Sequence, residues 1–367
     1  MRRIVLHGYY GNGNMGDDAI LYVTEAILRR TPNAKLQVVG HPIPFMSTTL
    51  GKYTAKIPFT KRLLYKNHTR QMLEQIDKAD ALILGGGGIF CDSKHGDVTN
   101  DVRLIQRMQE RHKPNMIYAI GVPSLWRETS KRLIRQVVEN ANYVSCRDPT
   151  SAKKIEALGA PSPYVTGDPA IKVPKVLGIH SKPKKLDLQM IHVCFSLRND
   201  NINRLIVEAL AKLATHLTSK YNAKISFIPM RTRWYGDDRV AHNLFRDKLE
   251  GGSLLFFDRR PSVKEFVKEL THTTLTIGMP LHSTLLSASL GVPCIAIAYT
   301  EDVASFMKYI QADDYSVLLK DACEGSFLIE KTEDMLNSYT ATSRRILENI
   351  EKIEEKMLLD EKAIKRL

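Results

Sequence analysis

The chain has 367 residues, 43% hydrophobic and 25% charged, which excludes a disordered or fibrous protein and allows about two cores of ordinary size. Its 53 basic residues outnumber 40 acidic ones, and the resulting charge of +13 favours an acidic partner, whether a phosphate ester, nucleotide, nucleic acid or anionic membrane surface. No apolar run reaches the roughly 18 to 20 residues of a membrane span, and Met1-Arg2-Arg3 leads straight into a strand, so a cytoplasmic address is expected.

Arg3 to His7 reads as a buried strand, Gly8 to Gly16 as a glycine-rich turn, and the chain from Asp18 as a helix with Ile20, Val23, Ala26 and Ile27 on one face. Glycines here allow close approach to an anion, and Asn12 and Asn14 tolerate left-handed geometry while offering amide donors. Gly11-Asn12-Gly13-Asn14-Met15-Gly16 spells G-x-G-x-x-G. The second strand, Lys35 to Val39, nevertheless runs into Gly40-His41-Pro42 with no acidic residue to hold a ribose, which disfavours a nicotinamide cofactor. Of the adjacent Asp17 and Asp18, one is expected to cap the helix while the other faces a ligand.

A helix from His68 to Lys78 precedes a strand from Ala79 to Leu84 and then Gly85-Gly86-Gly87-Gly88, a run expected where backbone closely approaches a ligand or a facing domain. Ile89 to Asp92 and the polar run to Asn100 read as a loop overhanging that place. Met116 to Ile120 and Tyr143 to Cys146 are strands on either side of a helix from Ser130 to Asn140. Arg147 leaves two readings open, an ion pair with Asp148 or Asp168 and a bidentate grip on an anionic ligand. Asp148 and Pro149 form an N-cap and first helical position.

Residues 1–172 thus make an N-terminal α/β domain, and the proline- and lysine-rich residues 173–189 read as a linker. In a second α/β domain, residues 190–335, strands at Met190 to Leu197, Lys224 to Pro229, Leu254 to Phe257, Thr273 to Ile277 and Val292 to Ala298 alternate with helices. The helix before the last of these strands is expected at Leu285 to Leu290. Arg198, then Arg231 and Arg233, then Gly278-Met279-Pro280-Leu281-His282-Ser283 follow the carboxyl ends of three strands. Open α/β sheets take ligands at such ends, so His282 is in a functional position by placement alone. In the closing stretch, residues 336–367, Ile346, Ile350, Ile353 and Met357 form a helical stripe that can pack on a domain or pair subunits. The five cysteines are odd in number and scattered, which argues for free thiols and against zinc.

Taken together, the Gly8 to Leu21 segment, Gly85 to Phe90, Arg147-Asp148, Gly167-Asp168-Pro169-Ala170, and Gly278 to Ser283 with Gly291 to Ala296 resemble the polysaccharide pyruvyl transferase family over roughly residues 3 to 310. The resemblance implies a transferase of GT-B-like architecture, two doubly wound, Rossmann-like α/β domains facing across a cleft. It also implies transfer of the enolpyruvyl group of phosphoenolpyruvate to a sugar of a bacterial surface glycan or its lipid-linked precursor, giving a ketal and phosphate without a metal or other cofactor. The partners are then phosphoenolpyruvate and the glycan, with peripheral contact at the inner membrane face and no nucleic acid. The acceptor sugar and oligomeric state stay open.

In the family pattern an arginine stands two positions before the histidine, where this chain has Pro280, which has neither charge nor N–H. Arg198, Arg231 and Arg233 are the candidates to supply that guanidinium, with Leu281 and Ser283 completing the donor side. The implied roles are His282 as general acid or phosphate partner, Asp17 as general base, and Arg147 with N–H groups near Ser283 as stabilisers of developing charge. Gly11, Asn12, Gly13, Asn14, Gly16, Gly86, Gly87 and Gly88 would form the acceptor or phosphate loops. Two rivals remain: a GT-B glycosyltransferase with a nucleotide-sugar donor, and a relative that binds a phosphorylated glycan without turnover.

Overall fold

The computed structural model describes residues 2–31, 34–40, 71–93, 97–199, 204–232, 236–246, 248–249 and 253–367. The chain forms two compact units, one of residues up to Asn12 with Asp17–Pro169 and Glu354–Leu367, the other of Gly13–Gly16 with Ala170–Ile353.

The first unit is built on a parallel sheet of β1 (Arg2–Gly8), β2 (Ala34–Gly40), β3 (Ala81–Gly87), β4 (Asn115–Ile120), β5 (Tyr143–Cys146) and β6 (Tyr164–Val165), in the order β2-β1-β3-β4-β5-β6. β3 and β4 are buried at every position, as expected of parallel strands covered on both faces. Their apolar runs carry no alternation because no face meets water. The helix Thr99–Gln109 contributes Val102, Leu104, Ile105 and Met108 to this core. Strand order reverses between β1 and β3, so the turns that follow these two strands border the crevice where such sheets bind ligands.

The second unit repeats the plan with β7 (His192–Ser196), β8 (Lys224–Phe227), β9 (Ser253–Phe256), β10 (Leu275–Gly278), β11 (Cys294–Ala298) and β12 (Ser316–Leu318), ordered β12-β11-β10-β7-β8-β9 and parallel throughout. Here the reversal falls between β7 and β10. Arg198 and His282 therefore leave the two strands that flank it.

Several expectations are corrected. The stretch read as a linker is packed: Val173 and Pro174 are buried in a short helix, Val173–Val176, Ser181 Oγ donates to the Ser289 carbonyl at 2.7 Å, and the Lys184 N–H donates to Ser343 Oγ at 2.8 Å. A proline at the start of a helix costs no hydrogen bond, so a Pro-rich stretch need not be free. The closing stretch is divided among helices, the last two being Tyr339–Lys356 and Leu358–Arg366. Its apolar stripe is core, with Ile346, Ile350, Ile353 and Met357 all buried. Ser343 Oγ donates to the Gly291 carbonyl at 2.6 Å within the second unit, while the Tyr143 hydroxyl donates to Asp360 Oδ1 at 2.9 Å within the first. All five cysteines are free.

Ile89 to Asp92 is no overhanging loop, because Ile89, Phe90 and Asp92 are buried. The Asp92 carboxylate accepts the Trp126 and Arg127 N–H groups at 2.9 and 2.8 Å and the Ser130 hydroxyl at 2.6 Å, which caps the helix Glu128–Glu139 from a distance.

Gly85, Gly86 and Gly87 belong to β3 and all have positive φ. A Cβ on Gly85 would overlap the Tyr118 carbonyl and one on Gly86 the Ile20 side chain, whereas on Gly87 the nearest atom would be Asp17 Oδ1 at 3.5 Å. Within this unit, close approach is thus explained by the neighbouring strand and helix. Gly85→Ala is expected to cost roughly 3 kcal/mol or more of unfolding free energy, since backbone must move, and Gly87→Ala about 1–2 kcal/mol for its φ alone. Denaturant titration of both variants checks this ordering, and equal losses would contradict it.

Candidate functional site

In the first unit the turn after β1 is closed by its own side chains. Tyr10 is buried, its hydroxyl donates to the Gly85 carbonyl, and its ring leaves no space for a Cβ on Gly8. Burial, with the Asp17 and Asp168 carboxylates nearby, pushes the Tyr10 phenol far above its ordinary range. It stays a donor.

The helix starts at Met15, so both aspartates lie in its first turn. They divide the work: Asp18 Oδ1 accepts the Gly11 N–H at 3.4 Å, while the Asp17 carboxylate lies beside Gly87. The turn-holding acid is therefore Asp18. Asn12 is buried and Gly88 packs near Pro123.

Arg147, at the end of β5, takes the ion-pair reading. It is 6% exposed, with Nε 3.3 Å from Asp148 Oδ2 and an Nη 3.9 Å from Asp168 Oδ2. It also presses on Gly121, where a Cβ would lie 2.6 Å from its Nε. Asp148 caps the helix Pro149–Glu156 through the Ser151 N–H at 2.7 Å. Two carboxylates offset the guanidinium, so it meets an anion already compensated.

In the second unit, residues 13–16 lie along the exit of β8 and reach His282. The Met15 N–H donates to the Met230 carbonyl at 2.9 Å, the Thr232 N–H to the Gly13 carbonyl at 3.3 Å, and Asn14 pairs with Arg231 in an antiparallel bridge. A Cβ on Gly16 would fall inside the His282 imidazole. Only glycine fits there.

His282 lies in the first turn of the helix Leu281–Ser289, which begins four residues before the expected start because Pro280 precedes it in extended conformation. It is 9% exposed and Leu281 8%. Ser283 is not a free donor: its N–H and hydroxyl both go to the Pro280 carbonyl, at 3.0 and 2.7 Å. The turn thus takes both donors of Ser283. Arg231 anchors through Nε on the Gly236 carbonyl at 2.8 Å, and Arg198 Nε lies 4.0 Å from Asp238 Oδ1. Arg233 lies outside the described residues.

Sequence reasoning missed Asp238 and His242, on the helix Asp238–Arg246. Asp238 Oδ2 accepts the Arg231 N–H at 2.8 Å, and His242 Nε2 faces the Leu197 N–H at 3.4 Å. One turn of helix thus holds the exits of β7 and β8. Burial pushes the Asp238 carboxyl up to about 6, outweighing Arg198 and Arg231, so ionising it costs on the order of 3 kcal/mol net. Burial also holds the His242 imidazole neutral, down to about 3. The signal available was the Asp237-Asp238 pair at a helix start just after a basic run.

Among the described residues no cluster of His, Cys, Asp or Glu is placed to hold a metal, and no helix is long and apolar enough to cross a membrane.

The family model for polysaccharide pyruvyl transferase matches residues 14–301, from the tetrapeptide that meets His282 to the residues after β11. The chain belongs to the polysaccharide pyruvyl transferase family. It is accordingly a transferase of the polysaccharide pyruvyl class. No curated protein matches it by sequence. Among solved structures it is similar to the S. aureus MnaA–UDP complex, with TM-score 0.65, 12% identity, and 98% of this chain and 97% of that chain covered. The Neisseria meningitidis UDP-GlcNAc 2-epimerase bound to UDP-GlcNAc gives TM-score 0.61 at 14% identity, covering 98% and 100%. CalG4, the calicheamicin glycosyltransferase, gives 0.52 at 11%, covering 99% and 97%. At such identities the likeness shows the fold alone, the two-domain α/β architecture of the GT-B class.

Two outcomes follow. Gly16→Ala is expected to displace the imidazole and lower turnover at least 100-fold with the protein still folded, while Gly11→Ala, with nothing near its Cβ, leaves His282 in place. Steady-state assays with both variants decide it. His242 has a depressed folded-state value, so its contribution to stability is present above about 6.5 and is lost as pH falls toward about 3. His242→Phe is expected to flatten the slope of stability against pH between 6 and 4 by up to about 1.4 kcal/mol per pH unit, as read by urea unfolding.

Proposed function

We propose that the protein moves the enolpyruvyl group of phosphoenolpyruvate onto two hydroxyls of a sugar in a bacterial surface glycan or its lipid-linked precursor. The observation that carries this is the Gly16–His282 contact at the strand-order reversal of the second unit, flanked by Arg198 and Arg231, in a chain of this family. Arg198 and Arg231 take the donor's carboxylate and phosphate in place of the arginine that Pro280 replaces. Pro280 keeps its carbonyl for Ser283 and leaves His282 to act alone in that turn.

The chemistry needs one proton delivered to the vinyl methylene, two oxygens bonded to the adjacent carbon, and the phosphate–carbon bond broken. Two hydroxyls release two protons. One balances the new methyl group and the other leaves with phosphate. His282 delivers a proton to the methylene, and Asp17 takes one from an attacking hydroxyl. The +13 charge suits an anionic donor and a diphosphate-linked acceptor, and with it a peripheral place at an anionic membrane face. No step calls for a cofactor.

A second reading has support of its own, since structures of this fold were determined with UDP or UDP-GlcNAc. Calorimetry at low salt separates the two. Wild type is expected to bind phosphoenolpyruvate, with affinity lowered at least tenfold in Arg198→Ala and Arg231→Ala and turnover lost in His282→Ala. Binding of UDP without phosphoenolpyruvate would favour a nucleotide-sugar donor.

A further inference from the structure

Asp238 has no part in the proton transfers above, yet it meets both arginines proposed for the donor, the Arg198 side chain and the Arg231 backbone. It is fully buried; Oδ2 accepts the Arg231 N–H, the Asn199 backbone N–H also favours the carboxylate, and Oδ1 has no hydrogen-bond partner among the described residues. That second oxygen faces Arg198 Nε at 4.0 Å, too far for a hydrogen bond. A carboxylate so placed is half engaged.

We infer that Asp238 is a positioning residue whose charge alternates with the ligand's: ionised, it holds Arg198 and the Arg231 backbone in the empty site, and it takes up a proton when an anionic donor pairs with Arg198. The inference rests on Arg198 and Arg231 being the donor's cations. The reason is electrostatic. A buried carboxylate and a phosphate drawn to the same guanidinium repel each other where no water screens them, and protonating the carboxylate is the direct release.

The other groups facing Asp238 cannot take that role. Arg198 and Arg231, at the exits of β7 and β8, are the cations that the inference pairs with the ligand. Tyr299, at the exit of β11, is held as a neutral phenol by burial, and Asp302 beyond it is engaged by the Val303 N–H at 3.1 Å. On Asp238's own helix turn, Asp237 is held ionised by Arg239, whose Nε lies 3.0 Å from both its oxygens, and His242 is neutral. Asp238, with its carboxyl pushed up to about 6, is poised to change charge just below neutrality.

The test is calorimetric titration of the full chain with phosphoenolpyruvate at pH 7 in two buffers of different ionisation enthalpy, which counts protons taken up per ligand bound. The ligand's own phosphate titrates equally in wild type and Asp238→Asn, so the difference belongs to Asp238. Wild type is expected to take up close to one proton more than Asp238→Asn, and its affinity to rise up to tenfold per pH unit as pH falls toward 6 relative to the variant. A residue that merely braces the fold would shift affinity but not the proton count.

Equal counts overturn the inference. If Asp238→Asn does not fold, wild type alone decides, because uptake no greater than the ligand's own titration over pH 5 to 8 overturns it as well. If phosphoenolpyruvate does not bind, the functional reading fails separately. Inorganic pyrophosphate as probe then applies the same two outcomes to Asp238.

Discussion

The contact between the Gly16 backbone and the His282 ring is the constraint on which the rest of the second unit's edge depends. It has no tolerance: the imidazole occupies the place where any other residue would carry its Cβ. The contact is held by backbone bonds, Met15 to Met230 and Thr232 to Gly13, and by the Asn14–Arg231 bridge. A peptide from the first turn of the chain thus counts with the second unit, and Asp17 is its immediate neighbour in sequence.

The two units handle their cations differently. Arg147 is wrapped by Asp148 and Asp168 and pressed on Gly121, an arrangement that holds a strand end in shape and leaves little net field. Arg147 thereby shapes the turns of the first unit. At the edge of the second unit, the Arg198 guanidinium and the Arg231 backbone N–H face one buried carboxylate, Asp238, that is itself costly to ionise.

Much of the plan was legible along the chain. Runs such as Ala81-Leu82-Ile83-Leu84 and Cys294-Ile295-Ala296-Ile297 read as strands because a strand buried on both faces needs apolar residues at consecutive positions. Asp148-Pro149 read as a helix start because the cap is local chemistry. The errors share a cause. Pro174 and Lys184 looked like linker, and Ile89 to Asp92 like an open loop, because local composition does not say what lies beside it. Four glycines read as a close backbone approach to a ligand or a facing domain, and within the first unit it is Tyr118 and Ile20 that come close to Gly85 and Gly86. Ser283 looked available until the Pro280 carbonyl claimed both its donors.

The sequence by itself determined the two parallel sheets, their strand ends, and His282, Arg198 and Arg231 at three of those ends, because periodicity and strand-to-helix turns are properties of neighbouring residues. Only the tertiary structure decided that residues 13–16 belong with the second unit, that Arg147 is compensated, and that Asp238 and His242 underlie the two arginines. Those facts turn on burial and on pairings such as Leu197 with His242, 45 residues apart, and desolvation acts on a carboxyl or an imidazole only once the chain has closed around it.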